Sequence, residues 1–395
     1  MTKKRLAIIS THPIQYQAPI WRALAHMPDL DVHVYYGSDF SIRGYRDRHF
    51  GVDFKWDVPL TDGHASTFLS TDSNSTIERG FFSMRPTHLR SRLRAFRPDC
   101  ALISAYMPFF WWETVAVLQL LRIPTLLRAE ATDTAMHRSA LKNAMRNVFL
   151  RVFYRTCTKC LAIGQMARNH YLRHGVPPGQ IGWSPYCVDT GLFEEQIQTY
   201  EPCRETLQRE LGLNAMQTVF IYSGKIYPQK SPTTIVEALA SMPEAVRAQL
   251  ALLVVGDGEL RSQFEVACHN LLGERAVFVG FANQSELGRY YAAADCLILP
   301  SLGETWGLVV NETMQFGLPA IVSDHVGCYP DLIVEGKTGY VFPAGDAQQL
   351  SACMLQAVDL IKADRYMVSR YCRSQVAAYS PQAAAEGIRS AVMNL

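Results

Sequence analysis

Short apolar runs separated by amphipathic stretches set the rhythm of this chain. Leu6–Ser10, Val32–Tyr36, Ala101–Ser104, Thr125–Leu127 and Cys160–Ile163 read as strands. Helical periodicity fills the gaps over Ala18–Ala25, Thr87–Phe96, Phe109–Leu121, Met136–Tyr154 and Gln165–His174. Strands that are apolar throughout, alternating with helices, predict a parallel sheet covered on both faces. The stretch from Gly37 to Met84 is less regular and reads as loops with an extra strand. A polar segment from Glu194 to Asn214, containing Pro202, reads as a linker. The alternation then restarts with strands at Thr218–Tyr222, Ala251–Val255, Val277–Val279, Cys296–Leu299 and Ala320–Ser323. Ser231 and Pro232 have the chemistry of an N-cap and first helical position. The tail from Pro381 reads as a last helix. Two α/β units in tandem follow, residues 1–195 and 196–375, with residues 376–395 as a helix returning to the first. A cleft between such units is a preferred place for a ligand.

Length and composition agree with two globular cores: 395 residues, 48% hydrophobic and 19% charged. A formal net charge of +2 supplies no global field to recruit nucleic acid. The first apolar run is too short for a leader or a membrane span. Ten cysteines lie scattered in apolar segments, the usage of reduced thiols in a cytosolic protein. Cys157 and Cys160 have the spacing of a redox or zinc pair, yet no second pair completes a metal site.

The second unit concentrates residues suited to a phosphate-bearing, hydroxyl-bearing ligand, each where a loop leaves a strand. Gly224 permits a tight turn, and Lys225 and Lys230 flank it with two compact positive charges suited to a diphosphate. Gly256 and Gly258 form a second glycine turn. Gly280-Phe281-Ala282 offers backbone against which a flat base can lie. Glu304 and Glu312 stand with seven residues between them, across a loop and the start of a helix. That helix begins near Gly307 and aims its free N–H groups at the same spot. Glu312 falls among apolar residues, where an unpartnered charge is costly, so it must have partners.

These features in this order resemble the donor half of retaining glycosyltransferase family 4, the large "group 1" family of GT-B architecture. The resemblance is strongest from Ser223 to Asp346 and continues loosely through Cys187-Val188-Asp189 and Ile9-Ser10-Thr11-His12-Pro13. It implies two Rossmann-like domains with parallel sheets facing across a cleft. It also implies transfer of a hexose from a nucleotide-diphosphate sugar to a saccharide or lipid-linked acceptor, with retention, no cofactor and no metal. Lys225 and Lys230 fall where the family binds diphosphate, Lys225 replacing the commoner arginine. Glu304 falls on the glutamate that holds the transferred sugar, and Glu312 on the one that holds the ribose. Trp306, Gly307 and Leu308 would offer backbone N–H groups to phosphate. Glu304, Lys225 and Lys230 thus become the catalytic set. The family's further Pro-Glu is here Pro330-Asp331.

The first unit fits the resemblance less closely: its first turn lacks glycine, and no histidine follows Thr125–Leu127 until His137. His12, Gln15, Arg128 and Glu130, at strand ends, are the expected acceptor-side residues. Asp29-Leu30-Asp31 has the Asp-x-Asp form of metal-dependent transferases but sits at the entrance of a strand. Two basic segments, 85–97 and 137–159, would suit an anionic membrane at the inner face of the cell. In the second, Leu141, Met145, Val148 and Val152 form an apolar stripe, whose ordinary place is against the protein's own sheet. A sugar-nucleotide epimerase, a sugar phosphorylase or a non-catalytic sugar-nucleotide-binding subunit can share this architecture, and product identity separates them.

Overall fold

The computed structural model describes residues 3–46, 53–54, 56–72, 80–133 and 140–395. The first sheet has seven strands: β1 Lys4–Ser10, β2 Leu30–Tyr36, β3 Ala65–Phe68, β4 Cys100–Ile103, β5 Thr125–Leu127, β6 Lys159–Ala162 and β7 Ile181–Trp183. Their order is β3-β2-β1-β4-β5-β6-β7, and every pairing is parallel. The second sheet has six: β8 Thr218–Ser223, β9 Leu250–Val255, β10 Ala276–Gly280, β11 Cys296–Leu299, β12 Ala320–Ser323 and β13 Gly339–Phe342. Their order is β10-β9-β8-β11-β12-β13, again all parallel. Residues of β8, β9, β11 and β12 are buried throughout, which is what helices on both faces require.

In each sheet the strand order reverses once, at β1/β4 and at β8/β11. The loops leaving the carboxyl ends of those strand pairs diverge and open a crevice. This places the Gly224–Lys230 turn and the Glu304 loop side by side, at the carboxyl ends of neighbouring strands β8 and β11.

Between the units, the segment that reads as a linker is helical. Thr190–Tyr200 is capped by Asp189, whose carboxylate accepts from the Leu192 amide at 3.4 Å, and Arg204–Glu210 follows after one 3-10 turn. Polar composition concealed two helices because each buries little, chiefly Phe193 and Leu207. Phe193 packs on Tyr291 and Phe316 of the second unit. The helix Pro381–Met393 lies against Ala18–Ala25 of the first unit, with Arg389 paired to Asp29 at 2.5 Å. One apolar core runs from the inner face of the first sheet through Tyr186, Trp306 and Tyr379 into the second.

Candidate active site

Three glycine turns build the floor of the crevice in the second unit. The Gly224 N–H donates to the Val255 carbonyl at 2.9 Å, and the Gly256 N–H donates to the Gly280 carbonyl at 2.7 Å. Gly256 has φ +143°, and a Cβ there would overlap the Gly224 carbonyl oxygen. Turns after β8, β9 and β10 can stack this closely only without side chains. Gly256→Ala is therefore expected to cost about 1–3 kcal/mol of stability and to spread the turns, read by denaturant unfolding.

Lys230 ends the first of these turns, and its ammonium is ion-paired with the Glu304 carboxylate, both mostly withdrawn from solvent. Two further bonds clamp the same loops: the Leu302 N–H donates to the Gln229 carbonyl at 2.8 Å, and Gln229 Nε2 donates to the Gly303 carbonyl at 3.0 Å. The Glu304 backbone is fixed from the far side by His325 and Gly327. Gly307, at φ +98°, starts the helix Leu308–Gln315; the Val310 N–H meets the Gly307 carbonyl at 2.9 Å, and the Leu308 and Val309 amides precede that first bond. Glu312 lies one turn in and is buried. Its Oε2 accepts from Tyr291 Oη at 2.6 Å and its Oε1 from Gln284 Nε2 at 3.4 Å. Burial pushes its carboxyl above the ordinary range, and the two donors oppose that rise.

Across the opening stand the loops of the first sheet. Glu130, just past β5, accepts from Tyr16 Oη at 3.2 Å, from Tyr186 Oη, and from Thr305 Oγ1 of the Glu304 loop at 2.6 Å. Burial, joined by the charge of Glu130, holds both tyrosines well above their usual pKa, so they stay donors. Gln15 shares a crevice with Leu308, Glu312 and Gln284. Asp57 accepts from the Ser285 N–H at 3.3 Å and from its hydroxyl. Lys230 is thus joined to the glutamate loop, that loop to Glu130 of the first sheet, and the start of the Leu308 helix shares a crevice with Gln15 and Tyr16.

A sequence profile of the family described as glycosyl transferases group 1 matches residues 204–375, the span that carries the three glycine turns and both glutamates. The likeness to the group 1 glycosyltransferases thus rests on this unit. Sulfoquinovosyl transferase SQD2 of Arabidopsis thaliana is 33% identical over 175 residues, 43% of this chain and 32% of that protein. The chain spans about a third to a half of the length of the curated relatives it matches. Sucrose-phosphate synthase of Thermosynechococcus elongatus superposes with a TM-score of 0.72 at 21% identity, over 99% of each chain. Anabaena HepE, solved in complex with UDP, gives 0.71 at 17% identity, over 99% of this chain and 100% of that one. The two-sheet GT-B fold of these solved structures is the fold of this chain.

Most of the sequence-predicted site residues lie on the strand-end loops of the second unit. Gly224, Lys225, Lys230, Gly256, Phe281, Glu304, Gly307, Leu308 and Glu312 all lie on the loops after β8, β9, β10 and β11 or on the first turns of the helix beyond. Arg128 is a correction. It is the first residue past β5, and its side chain turns into the first unit rather than toward an acceptor. Its guanidinium donates to Ser184 Oγ at 2.8 Å and to the Pro185 carbonyl at 2.8 Å, beneath the Tyr186 ring. His12 stays within its own unit, its Nδ1 3.0 Å from Thr11 Oγ1 and its ring against Phe40. Burial pushes its pKa down to about 4, so it is neutral at pH 7. The Trp306 side chain lies in the seam between units, against Tyr186 and Tyr379. His137 lies outside the described residues.

Sequence reasoning missed Tyr16, Tyr186, Gln284 and Tyr291, hydroxyl and amide donors on separate elements that meet the carboxylates only in space. It also missed a second clasp. Asp331 caps the helix Gln165–Arg173 of the first unit, accepting from the Gln165 N–H at 3.0 and 3.1 Å and from Tyr379 Oη at 3.0 Å. Burial raises its pKa to about 6. A carboxyl raised in the folded state stabilises below its unfolded pKa, and that stability is lost as pH rises through the folded value. Asp331→Asn keeps the cap acceptor and removes the charge. It is expected to be more stable than the wild type by about 2 kcal/mol in urea unfolding at pH 7.5, with the gain gone by pH 3.

Three acid or histidine side chains also cluster behind β5: Asp133, His170 and His174. Every imidazole nitrogen there already has a partner. His170 meets Asp133 at 2.8 Å and Tyr154 at 2.8 Å; His174 meets the His170 carbonyl at 2.8 Å and Asn147 at 3.1 Å. Arg146 and Arg173 add positive charge to Asp133. The cluster reads as a hydrogen-bonded brace. Asp29 and Asp31 pair with Arg389 and Arg5 at the amino end of β2, away from the crevice. Cys157 and Cys160 are free buried thiols.

Proposed function

We propose that the chain is a retaining, metal-independent hexosyltransferase that uses a nucleoside-diphosphate sugar and a saccharide or lipid-linked acceptor. The observation that carries this reading is the Lys230–Glu304 ion pair on the loop that leads into the Leu308 helix, with Glu312 one turn along that helix. The diphosphate would lie against Lys225, Lys230 and the first-turn amides, the ribose hydroxyls on Glu312 and the hexose hydroxyls on Glu304. As the bond from the anomeric carbon to the phosphate oxygen breaks, charge grows on the diphosphate. Two ammonium groups and a helix start facing that charge favour departure, a contribution of several kcal/mol in comparable sites. The acceptor hydroxyl attacks from the same face, and its proton passes to the leaving phosphate oxygen. Among the described residues, the carboxylates nearest the reaction are committed. Glu304 pairs with Lys230, and Glu130 accepts from three hydroxyls. This supports a route without a covalent enzyme–sugar intermediate.

UDP is the first nucleotide to try, because it is the one HepE holds. A thermal-shift panel of UDP, GDP, ADP, dTDP and CDP should single out one base. At 100 times its dissociation constant that nucleotide adds about 2.7 kcal/mol of stability. Proton NMR of the glycoside formed should show the donor's anomeric configuration, and chelator should leave the rate unchanged. An inverted product, or loss of activity in chelator, contradicts the mechanism. An altered donor or a sugar phosphate would instead favour the epimerase or phosphorylase alternative.

A further inference from the structure

The helix Ala140–Arg155 is apolar on two opposite faces. Its inner face buries Leu150, Phe153 and Tyr154 in the first unit. Tyr154, Asn147 and Arg146 bind the Asp133–His170–His174 brace, which fixes the helix's rotation. Its outer face carries Leu141, Met145, Val148 and Val152, exposed by 73%, 67%, 62% and 57%. Positions i, i+4, i+7 and i+11 stand on one line of a 3.6-residue helix, so this stripe points away from the core that the opposite face fills. An apolar surface of this kind on a globular protein marks an interaction site.

Charge identifies the partner. Residues 140–155 contain no acid, and Lys142, Arg151 and Arg155 flank the stripe. A crevice lined by Arg151, Arg155 and Arg173 opens at the helix's carboxyl end. Beside the helix, Phe149 lies 5.3 Å from Trp112, which continues through Phe109 to the exposed Phe82. A second copy of this chain would set basic helix against basic helix, whereas anionic headgroups neutralise the arginines. Among the described residues no helix is long and apolar enough to cross a membrane.

We propose that Ala140–Arg155 lies in the surface of a bilayer containing anionic phospholipid. The stripe enters the boundary between headgroups and acyl chains, and Arg151 and Arg155 sit at lipid phosphates. This goes beyond the transfer reaction and does not depend on the donor site.

Co-sedimentation of the full chain with phosphatidylcholine vesicles, with and without about 30% phosphatidylglycerol, tests it. The expected result is pelleting with the anionic vesicles alone, weakening as salt rises. The double variant Arg151→Gln/Arg155→Gln should bind about 30-fold more weakly. Leu141→Glu/Val148→Glu should stay in the supernatant, with wild-type thermal unfolding and nucleotide binding. Three outcomes overturn the proposal: no pelleting of the wild type, equal pelleting of wild type and Leu141→Glu/Val148→Glu, or equal binding to neutral and anionic vesicles. Sedimentation velocity supplies the remaining arm. A wild-type dimer that this variant converts to monomer assigns the face to a second copy and refutes the bilayer.

Discussion

Lys230→Ala is expected to lower kcat for glycosyl transfer by about 10²–10³ while leaving the fold intact. In the proposed mechanism Lys230 has two tasks. Its ammonium would face the charge that grows on the leaving diphosphate, and it is the ion-pair partner of Glu304. Truncation removes the first contribution and leaves Glu304, mostly withdrawn from solvent, without its cation. The loss should fall more on kcat than on nucleotide affinity, because the diphosphate gains charge during departure. Lys230→Arg keeps the charge and should recover part of the rate. A double-mutant cycle with Glu304→Gln should be strongly non-additive, as expected for side chains that act as a pair. Steady-state kinetics on the donor picked out by the nucleotide panel give all of these values. A Lys230→Ala enzyme within threefold of wild-type kcat would remove Lys230 from the mechanism.

The second large effect is on stability and lobe alignment. Trp306→Ala is expected to destabilise the protein by about 3–5 kcal/mol in equilibrium urea unfolding. The indole is 2% exposed. Its Nε1–H donates to Asn311 Oδ1 at 2.7 Å, and the ring packs between Tyr186 of the first unit and Tyr379 of the C-terminal segment, at 5.9 and 5.8 Å. Gly164 approaches so closely that a Cβ there would overlap the indole. Asn311 passes the restraint on, its Nδ2 donating to the Tyr186 carbonyl at 3.3 Å. Tyr186 is also a donor to Glu130. The variant should therefore lose kcat beyond what its stability explains, while the affinity for free nucleotide, which the proposal assigns to the second unit, changes little.

Much of the fold was legible in the sequence because parallel strands buried on both faces are short and apolar throughout, as in Cys296–Leu299. Their carboxyl ends then locate loops before any coordinate is known. The same logic shows where legibility stops. A strand-end position says that Arg128 and Glu130 border the cleft; it does not say which way a side chain turns. Arg128 went inward to Ser184 and Pro185, and Glu130 went across to Thr305. Glu312 had to have partners because of its burial, but Tyr291 and Gln284 belong to other elements, and nothing in sequence spacing points to them. Trp306 was read for its backbone, whereas its indole is a seam residue. The helix Ala140–Arg155 defeats periodicity most plainly. An apolar stripe is ordinarily the buried one, and here Leu141, Met145, Val148 and Val152 are the outer of two.

The most direct test is a crystal structure of the protein with the nucleoside diphosphate that stabilises it most. The expected map places the diphosphate within hydrogen-bond distance of Lys225, Lys230 and the Leu308 and Val309 amides, with the ribose hydroxyls on Glu312. A nucleotide bound elsewhere, or one in the crevice that leaves both lysines and Glu312 untouched, would contradict the assignment.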